Sequence, residues 1–400
     1  MQRLNTCLYL ILGFVAPCFC DTSFVGTNNT FFNVIDYGAK GDGKSDDTQA
    51  FVTAWQHACG TQGASTLVIP PKTVFLVRNL RLEGPCNATS ILIQLQGEIV
   101  APAKNEWING LTIDEESNLI LISKVNSLTV DGNGGLIDGY GSTWWACKRL
   151  TEFFMLMMQI LKFLSCNDLS VSNLMIINSP KAHIHVNFCD GAILSNINIS
   201  APGDSPNTDG IDISSSKNII VEDSTFETGD DCIAITGNSS YINATRIACG
   251  PGHGISIGSL GRNNANDRVE EVHVRNCTFT NTKNGARIKT WIGGSGYARK
   301  IYFEQIILSQ AKNPIIINQY YSDYVTNGGL EVSDVTYRGF QGTSLNDKAI
   351  TLNCSSSGCF NIVLDQINIV SSEPGATAYC TIYNARGTAT STVPNCSLST

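Results

Sequence analysis

From Ser65 onward the chain alternates short runs of β-branched and aliphatic residues with clusters of Gly, Asn, Asp and Ser. Thr66–Pro70, Thr73–Val77, Ile91–Leu95, Glu98–Ala101, Leu119–Ser123, Leu128–Asp131 and Gly135–Asp138 are each too short for a helix and rich in strand formers. Upstream, Phe31–Ile35 predicts a first strand and 36–47 a turn-rich connector. TQAFVTAWQHAC (48–59) then places Phe51, Ala54, Trp55 and Ala58 at i, i+3, i+4 and i+7, one buried helical face. Asp46 or Asp47 is its expected N-cap. The Asp42, Asp46 and Asp47 group reads as a cap and a solvated turn rather than a metal loop. No further strong helix is expected downstream.

The later half repeats. DLSVSNLMI, GAILSNINI, NIIVEDSTF, YINATRIAC, EVHVRNCTF, KIYFEQIIL and NIVLDQINI resemble one another. With Leu169, Ala192, Ile219, Ile242, Val272 and Ile301 as equivalents, the gaps are 23, 27, 23, 30 and 29 residues. That period, built from strands and turns, predicts an all-β chain folded as a right-handed parallel β-helix. Asn-rich turns suit it, because stacked Asn side chains satisfy one another between coils. A sandwich or barrel would need more Asn-Gly hairpin signals. The single helix is expected to cover the open end of the first coil. One stretch, Lys148–Gln159, lacks the usual punctuation and carries Met155, Met157 and Met158. It is too short to span a bilayer and reads as a loop, an irregular strand or a product of aberrant splicing; Ile160–Cys166 still predicts a strand.

Residues 1–20, basic then apolar with Cys18 and Cys20 before Asp21, read as a secretory signal. The expected mature chain is one β-helix domain over 21–400, secreted to the extracellular space or cell wall and monomeric. Twelve of the 15 cysteines follow the signal, a usage suited to an oxidising compartment. Cys232/Cys249, Cys354/Cys359, Cys380/Cys396 and Cys59/Cys86 are candidate bridges, whereas Cys166, Cys189 and Cys277 lie in strand-like runs as bridges or buried thiols. Sequons begin at Asn28, Asn87, Asn198, Asn238, Asn243, Asn276, Asn353 and Asn395, with glycans expected on some. A net charge of −8 argues against nucleic acid or an anionic membrane surface as partner, but not against a polyanion held in a locally basic cleft.

The candidate chemistry is concentrated between Ser205 and Lys289. Asp209, Asp230 and His253 are separated by 21 and 23 residues, close to one period. Stacking coils roughly 4.8 Å apart would put them on neighbouring coils of one face. Arg287 and Lys289, at i and i+2, point to one side of a strand. Crowded carboxylates raise the pKa of at least one member, as acid/base glycoside cleavage requires, and the cations suit a negatively charged sugar. Each motif alone is ordinary turn or edge chemistry; their order and spacing are not.

SPNTDG (205–210), GDD (229–231), GHG (252–254) and RIK (287–289), in this order, resemble the motifs of polygalacturonases, glycoside hydrolase family 28, particularly those of plants. FNVIDYGAKGDGKSDDTQAF (32–51), NSPKAHIHV (178–186) and NPIIINQYY (313–321) extend the resemblance over essentially the whole mature chain except 148–159. It implies inverting hydrolysis of α-1,4-galacturonosyl linkages in de-esterified pectin, with no metal or other cofactor. It implies Asp230 as general acid, Asp209 and Asp231 as the pair activating water, and His253 as support for the acid. Arg287 and Lys289 would bind galacturonate, Asn207 would sit beside the carboxylates, and Tyr321 would contact substrate. The segment 148–159 departs from the plant pattern, which has a loop with cysteine and proline there, and this leaves Cys147 without an evident partner. A pectate lyase, a rhamnogalacturonan hydrolase and a non-catalytic wall-binding β-helix are the alternatives.

Overall fold

The computed structural model describes residues 29–108, 118–145, 158–321 and 329–399. The expected signal segment, Cys147 and all but the last two residues of 148–159 lie outside these. Within them, extended segments stack in parallel, and each coil pairs with the coil before and after it. The fold is a parallel β-helix. All five equivalences read from the repeat are register partners: Leu169 with Ala192, Ala192 with Ile219, Ile219 with Ile242, Ile242 with Val272, and Val272 with Ile301.

Two columns of residues in the left-handed conformation turn the chain at each coil. One runs Asn173, Asn196, Asp223, Arg246, Asn276, Gln305, Gly339 and Gln366, all at positive φ. Asn, Asp and Gly tolerate that conformation, which explains the Asn-rich punctuation. The stacked side chains satisfy one another as expected, with Asn196 Nδ2 donating to Asn173 Oδ1 at 2.7 Å. Where Arg246 occupies the corner, its guanidinium pairs with Asp223 and Glu222 on the coil before.

A second parallel sheet, of eleven strands among the described residues, runs from Leu80–Glu83 to Tyr379–Tyr383. Its side chains alternate. Ile211, Ile213, Ile233, Ile235, Ile255 and Ile257 point inward and are fully buried, each contributing about 2 kcal/mol of apolar burial. The residues between them face outward and form a polar cleft.

The Thr48–Gly60 helix covers the first coils and buries Phe51, Ala54, Trp55 and Ala58, as the periodicity predicts. Phe51 packs edge-on to Phe75 at 5.2 Å, and Trp55 Nε1 donates to the Glu83 carbonyl at 3.1 Å. Asp46 accepts from the Thr48 amide, while the Asp47 carboxylate turns back to the Lys40 and Gly41 amides. Asp42 accepts from the Lys44 and Ser45 amides, the expected turn. Three details differ from the sequence reading. The first strand, Thr30–Asn33, stops before Val34, because Asn33 Oδ1 caps a 3₁₀ turn over Val34–Tyr37. Asp42–Asp46, inside the expected connector, pairs as a strand with Val74–Leu76. The Leu80–Glu83 strand, hidden in a run of alternating charge, opens the cleft sheet.

All four candidate bridges are present: Cys59–Cys86, Cys232–Cys249, Cys354–Cys359 and Cys380–Cys396. Cys166, Cys189 and Cys277 are buried thiols.

Candidate active site

The motifs that carry the candidate carboxylates and histidine lie just before the N-terminal ends of the cleft strands, and Arg287 and Lys289 lie within the strand Asn284–Thr290. The strands Ile211–Ser214, Ile233–Ile235 and Ile255–Leu260 are in register, so Asp209, Asp231 and His253 precede them at equivalent positions. Backbone bonds carry that register through the motifs: Gly210 donates to the Asp231 carbonyl at 2.8 Å and His253 to the Asp230 carbonyl at 2.7 Å. Side chains lock one motif to the next. Ser205 Oγ meets Thr208 Oγ1 at 2.7 Å, and Thr208 Oγ1 accepts from the Gly229 amide at 2.9 Å. Gly229 has no room for a side chain, since a Cβ would lie 1.9 Å from the Ser205 carbonyl oxygen.

The two aspartates of TGDD have different surroundings. Asp231 is sealed, with its side chain 1% exposed, and it accepts from Ser256 Oγ at 3.0 Å, from Lys289 Nζ at 2.9 Å and from Arg287 Nη2. Ser256 Oγ in turn accepts from Arg287 Nε at 2.8 Å. Asp230 is 20% exposed at the cleft, and its Oδ1 meets His253 Nδ1 at 2.7 Å. The cations that the sequence reading assigns to a sugar therefore also pair with Asp231. Tyr321 lies beside them, its ring centre 5.3 Å from Lys289 Nζ and edge-on to Trp291 at 6.2 Å. Asn207 sits in the left-handed conformation within the 205–210 loop. An open groove of about 340 Å³ continues beyond His253, edged by Lys283, Gln310 and Lys312.

Electrostatics separate the carboxyls. Burial pushes Asp209 well above the carboxylate range, and Asp212, Asp230 and Asp231 add to it, against the pull of Lys289. Burial also raises Asp212, to about 6, with the Asp209 hydrogen bond and Lys181 opposing. For Asp230 burial acts upward too, but the His253 hydrogen bond and charge, with Lys289 and Arg287, hold it below its ordinary value. In the free site the shared proton therefore resides on the Asp209–Asp212 pair. Burial lowers the pKa of Lys289, but Asp231 outweighs it and raises the net value.

Linkage gives a testable consequence. Asp212 is raised from 3.8 to about 6, so between those values the native state binds more protons than the unfolded state. Its stabilisation is complete below the lower value and is lost as pH rises through the upper one. Asp212→Asn is therefore expected to flatten the fall in melting temperature between about pH 4 and pH 6, measured by thermal denaturation across that window. An unchanged pH slope would remove Asp212 from the shared-proton pair.

The structure brings together Asp209, Asp230, Asp231, His253, Arg287 and Lys289, with Tyr321 beside the cations. It adds residues the motifs do not reveal. Asp212 lies one outward position beyond the NTDG motif, signalled only by the alternation Ile-Asp-Ile. Ser256 likewise sits between two inward isoleucines. His183 is fully buried and supports Asp209 from behind, its Nδ1 lying 2.9 Å from the Asp209 carbonyl oxygen. Asp230, Asp231 and His253 each offer an atom within 4.8 Å of the others, a spacing that could accept a cation. Such a cation would compete with Arg287 and Lys289 for Asp231.

Among solved structures, an exopolygalacturonase from Thermotoga maritima superposes with a TM-score of 0.74 at 22% identity, covering 91% of this chain and 92% of that one. An endo-xylogalacturonan hydrolase from Aspergillus tubingensis gives 0.76 at 21% identity, covering 90% of this chain and 100% of that one. Both likenesses establish the β-helix fold. A probable polygalacturonase of Arabidopsis thaliana is 41% identical over 383 residues, 92% of this chain and 80% of that protein. A polygalacturonase of Cryptomeria japonica is 41% identical over 89% of this chain and 70% of its own length. The model for glycosyl hydrolases family 28 matches residues 59–392, which include every motif from SPNTDG to RIK, and the chain belongs to that family.

Proposed function

We propose that this chain is a polygalacturonase, an enzyme that hydrolyses the α-1,4-galacturonosyl linkages of de-esterified pectin. The carrying observation is the pairing of an acid/base carboxylate cluster with Arg287 and Lys289 on the same few strands. Two cations beside catalytic carboxylates suit a sugar that itself carries a carboxylate.

In this reading Asp230 donates a proton to the leaving oxygen, and Asp209 with Asp231 activates water. The free site favours an ionised Asp230, so substrate must help to load it. A uronate engaging Arg287 and Lys289 offsets the charge that holds Asp230 down, and covering the cleft removes water; both raise its pKa. The proton then shifts from the Asp209 pair to Asp230, leaving Asp209 as a base. His253 keeps the Asp230 carboxyl oriented, and Tyr321 gives the sugar ring an apolar face. Asn207, in the left-handed turn of its loop, is the residue this reading assigns to hydrogen-bond near the reacting carboxylates. No metal or other cofactor enters these steps.

The same contacts support inversion. Asp231 has both oxygens committed to cations, which makes it a poor nucleophile toward the anomeric carbon, and with Asp209 acting as base the attack is assigned to water from the opposite face. The first-formed reducing ends are expected to have the β configuration, read by proton NMR early in a digest. An α product would mean a covalent intermediate.

The direct test is digestion of polygalacturonate. Reducing ends should appear without an ultraviolet-absorbing unsaturated product, at a rate unaffected by a chelator. The cation-compatible spacing of Asp230, Asp231 and His253 favours a lyase as the second reading. That reading requires the unsaturated product and loss of activity with the chelator. Binding without either product would leave a wall-binding protein. Secretion as a monomer to the cell wall completes the proposal, supported by four disulfides among the described residues. Among the described residues no helix is long and apolar enough to cross a membrane.

A further inference from the structure

The outward row of the cleft sheet extends past the acids in the direction opposite to Arg287. Register places Lys162 beside His185, His185 beside Asp212, and then Ala234, Ser256 and Arg287 in succession. At roughly 4.8 Å per strand, the row is about 24 Å long, with a cation at each end. Lys181, just before the Ile184–Asn187 strand, joins Lys162 on this face: both lower the pKa of His185, and Lys181 also lowers that of Asp212.

Neither lysine has an ion-pair partner among the described residues. The cations on the outer face behave differently: Arg246, Arg275 and Arg338 are each tied to carboxylates on neighbouring coils. Lys162 and Lys181 are also half-buried, where an ammonium that makes no direct ion pair loses part of its hydration without a contact partner in exchange. The side chain between them and the acids cannot supply the missing charge. His185 is fixed by Gln159 Oε1 at 3.2 Å and Ser214 Oγ at 2.8 Å, and burial followed by the two lysines pushes its pKa down to about 3. It is a neutral spacer.

We propose that Lys162 and Lys181 form a second anion-binding position, which takes the carboxylate of a uronate residue bound on the opposite side of the acids from Arg287 and Lys289. This rests on the polygalacturonase reading and sharpens it. The polymer is gripped by charge on both sides of the cleavage point, so the enzyme requires a run of free carboxylates and not just one. A methyl ester at the Lys162 side would leave the two ammonium groups buried under substrate without an anion.

Lys162→Met and Lys181→Met keep side-chain length and remove the charge. The double variant is expected to raise KM for polygalacturonate about tenfold, with a much smaller change in kcat, as loss of uniform binding requires. The wild-type preference for de-esterified over partly methyl-esterified pectin should shrink by a similar factor, and Lys162→Arg with Lys181→Arg should restore both. Retention on immobilised polygalacturonate should weaken in parallel. A double variant that melts like wild type yet keeps its KM, its ester preference and its retention overturns the proposal. So does a loss of kcat with KM unaltered, which would mean the lysines act only through Asp212. If the wild type releases no reducing ends, it is the enzymatic reading that fails, and retention still tests the lysines.

Discussion

Asp230→Asn is expected to lower kcat on polygalacturonate by at least about 10³-fold while the protein still binds the polymer. The exchange preserves shape and leaves a partner for His253 Nδ1, which lies 2.7 Å from Asp230 Oδ1. It removes the negative charge and with it the capacity to take up and give a proton. Arg287, Lys289 and Tyr321 are untouched, so the groups expected to hold uronate remain. Reducing-end release and retention on immobilised polygalacturonate measure the two halves separately. Retained turnover would sink the assignment of Asp230 and move the acid to Asp209, the carboxyl with the raised pKa in the free site.

The second large effect is on stability as well as activity. Arg287→Ala is expected to cost about 3 kcal/mol, because it leaves the Asp231 carboxylate buried with a cation missing. Asp231 and Arg287 have side chains only 1% and 7% exposed, so water cannot replace the guanidinium without opening the site. Ser256 Oγ loses its donor at the same time. The same variant should cut kcat/KM by more than about 100-fold, since both substrate binding and the position of Asp231 depend on that side chain. Arg246→Ala is the control: its pair with Asp223 is about half exposed on both sides and should matter by less than about 1 kcal/mol. Denaturant unfolding and steady-state kinetics on both variants decide the matter. If the two cost the same, the buried cluster is not a charge-compensated unit.

Much of this protein is legible residue by residue. Helix periodicity named four of the six buried residues of Thr48–Gly60, missing Ala50 and Cys59, because a 3.6-residue repeat is a local property. The coil-to-coil register was readable because each coil repeats an inward aliphatic residue and a left-handed corner, most often Asn, and both preferences belong largely to single side chains. The position of the active site followed from the coil length, since residues one period apart must become neighbours. Boundaries were less legible. Phe31–Ile35 looks like one strand, and only the Asn33 cap shows that the chain turns at Val34. Leu80–Glu83 alternates like any exposed segment, and its pairing with Asn118–Ser123 is what makes it the edge of the cleft.

The residues themselves specified a stack of parallel coils, a capped end, four bridges, and a row of carboxylates, histidine and cations on one face. These depend on period and side-chain type, which do not change with what lies across the cleft. Tertiary structure alone decided how the charges divide. It gave both cations to Asp231, left Asp230 to His253, brought Asp212 against Asp209 to hold the proton, and placed Lys162 and Lys181 on the same face with no ion-pair partner among the described residues. Each of those outcomes turns on burial and on distances of a few ångströms between side chains on different coils. A pKa or an ion pair responds to that surrounding field, and no residue carries it in its own identity.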